Sequence, residues 1–196
     1  MPQKILIDTD PGVDDTMAIL FALRSPELEV VGMTAVFGNA YVDTAALNAL
    51  RLIELEGHEH IPVAKGTGRP IVGPPRRVAD FVHGADGLGG INPPSPDGQL
   101  LDVPAAQFIV ETILQNPGEI TLVPVGPLTN IALALRLEPK IVDLVKQVVI
   151  MGGAAYVPGN ASPVGEANIF NDPHAAAIVF SAGWPLTMVG LDVTMK

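Results

Sequence analysis

Apolar positions in this chain fall into short β-branched runs separated by longer stretches of helical spacing. That alternation predicts repeated strand–helix units around a mostly parallel sheet. Ile5-Leu6-Ile7, Val30 to Phe37, Ile120 to Val125, Val148 to Met151 and Leu186 to Leu191 read as strands. Asp14 to Leu23, Asp43 to Glu56, Leu128 to Leu137, Pro139 to Lys146 and Pro173 to Ala182 read as helices. Asp14 and Asp15 suit the positive start of the first helix, Ser25-Pro26 stops it, and Gly57 closes the second. The first helix is apolar nearly all round, which predicts burial on every side. Thr67 to Pro104 is rich in Gly and Pro and too long for an ordinary connector, so it reads as a functional loop or lid. With no internal repeat or heptad, the expected fold is a single α/β domain over residues 1–196: an open, mostly parallel Rossmann-like sheet flanked by helices.

Composition narrows the function. A chain of 196 residues, 48% of them hydrophobic, can bury a sizeable core. Its formal charge of −10 and lack of any Lys/Arg cluster argue against a nucleic acid polymer as partner. There is no cysteine, so any metal must be held by oxygen or imidazole, and disulfides and thiol catalysis are excluded. Mean hydropathy is positive, +0.37. Even so, every apolar run is cut well before the ~20 residues a membrane span needs. The first residues enter a strand without a long apolar segment, so no signal peptide is expected and the expected location is cytoplasmic.

In open parallel sheets, ligands bind outside the carboxyl ends of the strands. That rule selects Asp8 to Asp15, Asn39, Val125-Gly126, Met151-Gly152-Gly153 and Asp192. Asp8, Asp10, Asp14 and Asp15 fall on one strand-to-helix turn, where mutual repulsion raises pKa values unless a cation or a proton compensates. Calcium, with 6–8 oxygen ligands and a tolerance for backbone carbonyls, suits such a turn better than magnesium. The competing reading makes Asp14 and Asp15 helix caps and Asp8 a structural acceptor. Asn160 to Asn168 adds two carboxamides and Glu166, groups suited to sugar hydroxyls; its plain alternative is a solvated turn.

Asp8-Thr-Asp-Pro-Gly-Val-Asp-Asp15, Phe37-Gly-Asn39, Val123-Pro-Val-Gly-Pro-Leu-Thr-Asn130, Ile150-Met-Gly-Gly153 and Glu166-Ala-Asn-Ile-Phe-Asn-Asp172 run in order over almost the whole chain. Together they resemble the inosine-uridine preferring nucleoside hydrolase family. The resemblance implies hydrolysis of the N-glycosidic bond of a small-molecule ribonucleoside to ribose and free base, in purine and pyrimidine nucleoside catabolism. It further implies a calcium-bound water, with Asp10, Asp15 and the Val125 carbonyl as metal ligands and Asp10 as general base. Some relatives have Thr at Val125, which matters little for a carbonyl ligand. Asp14, Asn39, Asn160, Glu166 and Asn168 are implied to hold ribose hydroxyls, Met151 to line the sugar pocket, and Asp8 to support the turn from behind. A homo-oligomer, dimer or tetramer, is also implied.

His83-Gly-Ala-Asp-Gly-Leu-Gly89 resembles the family's mobile loop, which makes His83 a candidate to contact or protonate the base. His58 and His60 read as a solvated connection rather than a metal pair, Trp184 as packing, and Asp192 as a structural acceptor. Family members continue beyond the point matching Lys196, and that later region supplies a further aspartate ligand and a histidine near the leaving base. A binding module that retains calcium without turnover is therefore one alternative. A haloacid-dehalogenase-type phosphatase is another, because Asp8-Thr9-Asp10 follows the first strand, although Pro-Gly-Val-Asp-Asp does not fit that pattern.

Overall fold

The computed structural model describes all of residues 1–196. Its sheet has six strands, all parallel: β1 (Gln3–Thr9), β2 (Leu28–Ala35), β3 (Val63–Lys65), β4 (Thr121–Pro124), β5 (Gln147–Met151) and β6 (Leu186–Val189). Their spatial order is β3-β2-β1-β4-β5-β6. The chain winds outward from β1 in one direction and then returns to start again at β4, so the order reverses between those two strands.

Helices α1 (Val13–Arg24) and α2 (Val42–Leu55) pack on one face with Ile5, Ile7, Met33 and Val63. On the other face α4 (Ala105–Gln115), α5 (Thr129–Leu137), α6 (Ile141–Leu144) and α8 (Pro173–Phe180) pack with Leu6, Leu122, Val148 and Ile150. Side chains alternate across a strand, so Ile5 and Ile7 join one core while Leu6 joins the other. A register shift between Ile5 and Leu6 leaves Val31 as the extra residue on β2, which turns both Val30 and Met33 to the α1–α2 side. Short helices α3 (Asp80–His83), α7 (Ala167–Asn171) and α9 (Leu191–Thr194) complete the fold.

The open, parallel α/β sheet is the expected one, and several details differ from the sequence reading. The helix expected over Pro139 to Lys146 is only Ile141–Leu144, and α3 and α7 are additional. β3 has only three residues, too short for a periodic signal. α4 was unassigned although Ile109, Val110 and Ile113 lie at helical spacing just after Pro104. The last strand stops at Val189, because Leu191 already begins α9. Finally, α1 is not buried all round: Met17 is 70% and Phe21 74% exposed. Ile19 and Ala22 reach the sheet, but the flank of α1 that overhangs Val123 and Val149 carries no neighbouring helix.

Ile109, without exposure at the centre of α4, packs in the larger core. Ile109→Ala is expected to cost about 2–5 kcal/mol, read as a lowered urea midpoint. A loss near zero would mean α4 does not seal that face.

Candidate active site at the sheet switch point

β1 delivers Asp8 within the strand and Asp10 just beyond it, and Pro11-Gly12 turns the chain into α1. The turn lies where the strand order reverses, with β4 alongside. Asp10 is 1% exposed. Its Oδ2 accepts from the Asn39 backbone N–H at 2.6 Å, whereas its Oδ1 is buried with no partner. Gly126 crowds that oxygen so closely that a Cβ there would lie 2.6 Å from it.

Asp15 faces Asp10 from the first turn of α1. Its Oδ1 accepts from Thr9 Oγ1 at 2.9 Å, and its Oδ2 from Asn39 Nδ2 at 2.8 Å and Gly12 N at 3.2 Å. Asn39 therefore bridges the pair, with its backbone on Asp10 and its amide on Asp15. Burial, then the Asp15 charge, pushes Asp10 well above the usual carboxylate range. Burial, then the Asp14 charge, raises Asp15 to about 6.

Asp8 stands behind this pair. Its Oδ1 accepts from Thr34 Oγ1 at 2.6 Å and Asn130 Nδ2 at 2.8 Å, while Oδ2 is buried and unpartnered. Burial raises it to about 7, against the lowering effect of those two bonds. Asn130 also donates to Ala35 O at 3.0 Å and accepts from Thr67 N at 3.1 Å, binding β1, β2 and the long loop together. Asp14 departs from the shared cluster expected of the four aspartates: its side chain is 79% exposed and lies 3.7 Å from His83 Nδ1.

Across the cavity, Asn168 Nδ2 donates to Val125 O at 2.8 Å and Met151 O at 3.1 Å, turning the Val125 carbonyl into the site. Glu166 caps α7, accepting from Asn168 N and Ile169 N, and also takes Gly153 N at 2.9 Å. Asn160 is exposed, and its Oδ1 accepts from Ala167 N at 2.9 Å, closing the 160–167 loop. Asp14, Asp15, Asn39, His83, Val125, Met151, Asn160, Glu166 and Asn168 thus line one cavity of about 570 Å³. Asp10 does not line it and lies packed against Gly38, which does, and against Gly126.

The long loop supplies the roof. His83 ends α3 and is anchored by the Val13 N–H, which donates to its Nδ1 at 3.3 Å; the ring proton then belongs on Nε2. Arg76, which the sequence reading passed over, lies with its guanidinium 3.8 Å from the Phe170 ring centre and donates from Nε to Phe170 O at 3.0 Å. Asp172 was missed as well, although Asp before Pro is a helix-start signature. Its carboxylate caps α8 through Ala175 N and accepts from Thr129 Oγ1 and Ile71 N, each at 2.8 Å.

Metal fit rests on two carboxylates and a carbonyl, since no group of three or more His, Cys, Asp or Glu side chains converges. The chemistry of that donor set, hard oxygens with a buried unpartnered Oδ1 on Asp10, fits a hard metal cation. His58 and His60 stand 5.7 Å apart, tilted, with no third ligand. Asp192 accepts from Ala155 N and Tyr156 N at 2.9 and 2.8 Å, a structural role, and Trp184 is buried.

A doubly wound sheet with an aspartate pair at its switch point and a carboxamide wall opposite defines an α/β protein with a polar cavity at its strand ends. Residues 5–196 match the inosine-uridine preferring nucleoside hydrolase family, and the chain belongs to that family. It is 48% identical over 193 residues to a probable uridine nucleosidase 1 of Oryza sativa subsp. japonica, covering 98% of this chain and 60% of the relative. It is 48% identical over 196 residues to an inosine-uridine preferring nucleoside hydrolase of Leishmania major, covering 99% of this chain and 62% of that protein. The solved structure of a plant nucleoside hydrolase superposes with a TM-score of 0.97 at 47% identity, covering 100% of this chain and 62% of that one. The chain thus spans about 60% of the length of such relatives. Family membership favours the nucleoside hydrolase reading over the phosphatase.

Asp8 and Asp15 are raised from 3.8 to about 7 and about 6, so the folded, metal-free protein holds protons that the unfolded chain has lost. The stability they contribute is full below pH 3.8 and drains away as pH rises through 6 and 7. The urea midpoint of the metal-free protein is expected to be lower at about pH 8 than at about pH 5, and Asp8→Asn to shrink the difference. A midpoint that climbs across that window contradicts the assignment.

Proposed function

We propose that this chain carries the metal and ribose half of a nucleoside N-ribohydrolase, which cleaves the N-glycosidic bond of a ribonucleoside to ribose and free base. The observation that carries the reading is Asp10 Oδ1, buried and unpartnered at the switch point inside the family's aspartate motif. Asp10, Asp15 and the Val125 carbonyl would hold a calcium ion. When bound, such an ion acidifies and orients water.

Asp10 takes the proton of the attacking water as oxygen adds to the anomeric carbon and the bond from that carbon to the base nitrogen breaks. The sugar passes through an oxocarbenium-like state, whose positive charge the surrounding carboxylates and carboxamides stabilise. Asp14, Asn39, Asn160, Glu166 and Asn168 hold the ribose hydroxyls, and Met151 underlies the ring. Asn39 keeps a free side-chain carbonyl for this task, because its amide nitrogen is committed to Asp15. His83, with Nδ1 engaged by Val13 and its proton on Nε2, offers a hydrogen bond from Nε2 to the base, which departs with the electron pair of the broken bond.

The protein is read as a single-domain, cytoplasmic homo-oligomer, dimer or tetramer. No helix is long and apolar enough to cross a membrane.

The test is ribose release from inosine and uridine, paired with calcium titration by calorimetry. Asp10→Asn is expected to lower turnover by about 10²–10⁴-fold. Asp15→Ala is expected to weaken calcium binding, and chelation to abolish turnover reversibly. Calcium binding without turnover in the wild type would leave a binding module. Unchanged calcium affinity and turnover in Asp10→Ala would remove the site assignment altogether.

A further inference from the structure

Asn48 has no exposure, yet it lies in α2, where every other buried position is apolar. A buried carboxamide is costly unless its groups are bonded. Here all of them are engaged. Nδ2 donates to Asp86 O at 2.9 Å and to Pro11 O at 3.3 Å, and Oδ1 accepts from Arg51 Nη1 at 2.7 Å. Arg51 Nε in turn donates to Pro94 O at 2.9 Å. The two carbonyls belong to different loops: Pro11 lies between Asp10 and Asp15, and Asp86 follows His83 by three residues.

The loop holding His83 has a shape of its own. The Asp86 carboxylate accepts from Leu88 N, Gly90 N and Asn92 N at 2.9, 2.8 and 2.7 Å, and Gly89 N donates to His83 O at 2.7 Å. These bonds hold the loop together without fixing where it sits. Its place comes from the Asn48 amide and from the Val13 N–H on His83. Gly87 makes the approach close: at φ +75 a Cβ would lie 2.9 Å from Pro11 O and 3.0 Å from Asn48 Nδ2.

We propose that Asn48 is a positioning residue of this site, a two-way clamp that seats the His83 loop on the aspartate turn so that His83 faces the cavity. What His83 does there rests on the nucleoside hydrolase reading; where it sits does not. An apolar residue of similar size would serve the core equally well, but it would leave the Pro11 and Asp86 carbonyls without the Asn48 donor that ties both turns to α2.

The experiment compares the wild-type chain with Asn48→Ala, Asn48→Asp and Arg51→Leu. Its readouts are the ¹⁵N signature of the neutral His83 imidazole, amide exchange over residues 83–92, calcium affinity, and ribose-release kcat and KM. The wild type is expected to show the Nε2–H tautomer. In Asn48→Ala that signature gives way to a mixture, and loop amides exchange at least about tenfold faster while the sheet stays protected. The kcat is expected to fall by about 10- to 100-fold, more than KM or calcium affinity changes. Asn48→Asp, acceptor-only against two carbonyls, is expected to act alike. Should both Asn48 variants fail to fold, Arg51→Leu, changed at the half-exposed rim, loosens the same amide and is expected to move the same readouts less. An unchanged His83 signature and loop exchange in the folded variant overturns the proposal. If the wild type releases no ribose, the functional reading falls while the imidazole and exchange readouts still decide the clamp.

Discussion

Asp10 and Asp15 meet at the point where the sheet reverses its winding, both nearly free of solvent. Two carboxylates in such surroundings repel each other and resist ionisation, and much of the local structure answers that constraint. Asn39 donates to both, Thr9 and the Gly12 N–H turn toward Asp15, and Gly38 and Gly126 leave Asp10 the space that side chains would occupy. Asp8, raised by the same burial, is held from behind by Thr34 and Asn130. Donors are supplied to every carboxylate oxygen of the three except Asp8 Oδ2 and Asp10 Oδ1. Of those, the Asp10 oxygen lies against Gly126, at the turn that follows β4.

The opposite wall follows a different rule. Asn168, Glu166 and Asn160 make backbone hydrogen bonds that shape their own loop, so the carboxamide-rich segment is first a folded structure and then a ligand surface. Asn168 couples the two halves of the site, because the carbonyl it holds, Val125, sits at the end of the strand next to β1. The roof depends on both walls, reaching α1 through His83 and α7 through Arg76.

Much of this was legible beforehand because parallel strands buried on both faces read as apolar runs, and because ligands gather at their carboxyl ends. Asp10, Asn39, Val125 and Met151 sit at or just beyond such ends, so a rule of position selected one wall of the site. Burial of α1 was misread because an apolar helix says nothing about whether a neighbour covers each flank, and Met17 and Phe21 remain open. The separate directions of Asp14 and Asp15 were hidden as well: adjacent residues on a helix diverge by about 100°, so one faces the pair and the other solvent. Asn48 and Arg76 escaped for a common reason. Each works through contacts far away in sequence, where periodicity carries no information.

Asp172 joins pieces of chain made at widely different times. Its carboxylate holds the Ile71 N–H across 101 residues of sequence, besides Thr129 and the start of α8. On a ribosome adding about 5–20 residues per second, the segment around Ile71 emerges roughly 5–20 s before the acceptor that fastens it. Through that interval the ties of the loop to Val13 and Asn48 can already form, because both partners precede it, and only its fastening to the start of α8 is outstanding. The last bond of the roof therefore waits on the far end of the chain, after the loop's own internal bonds are available.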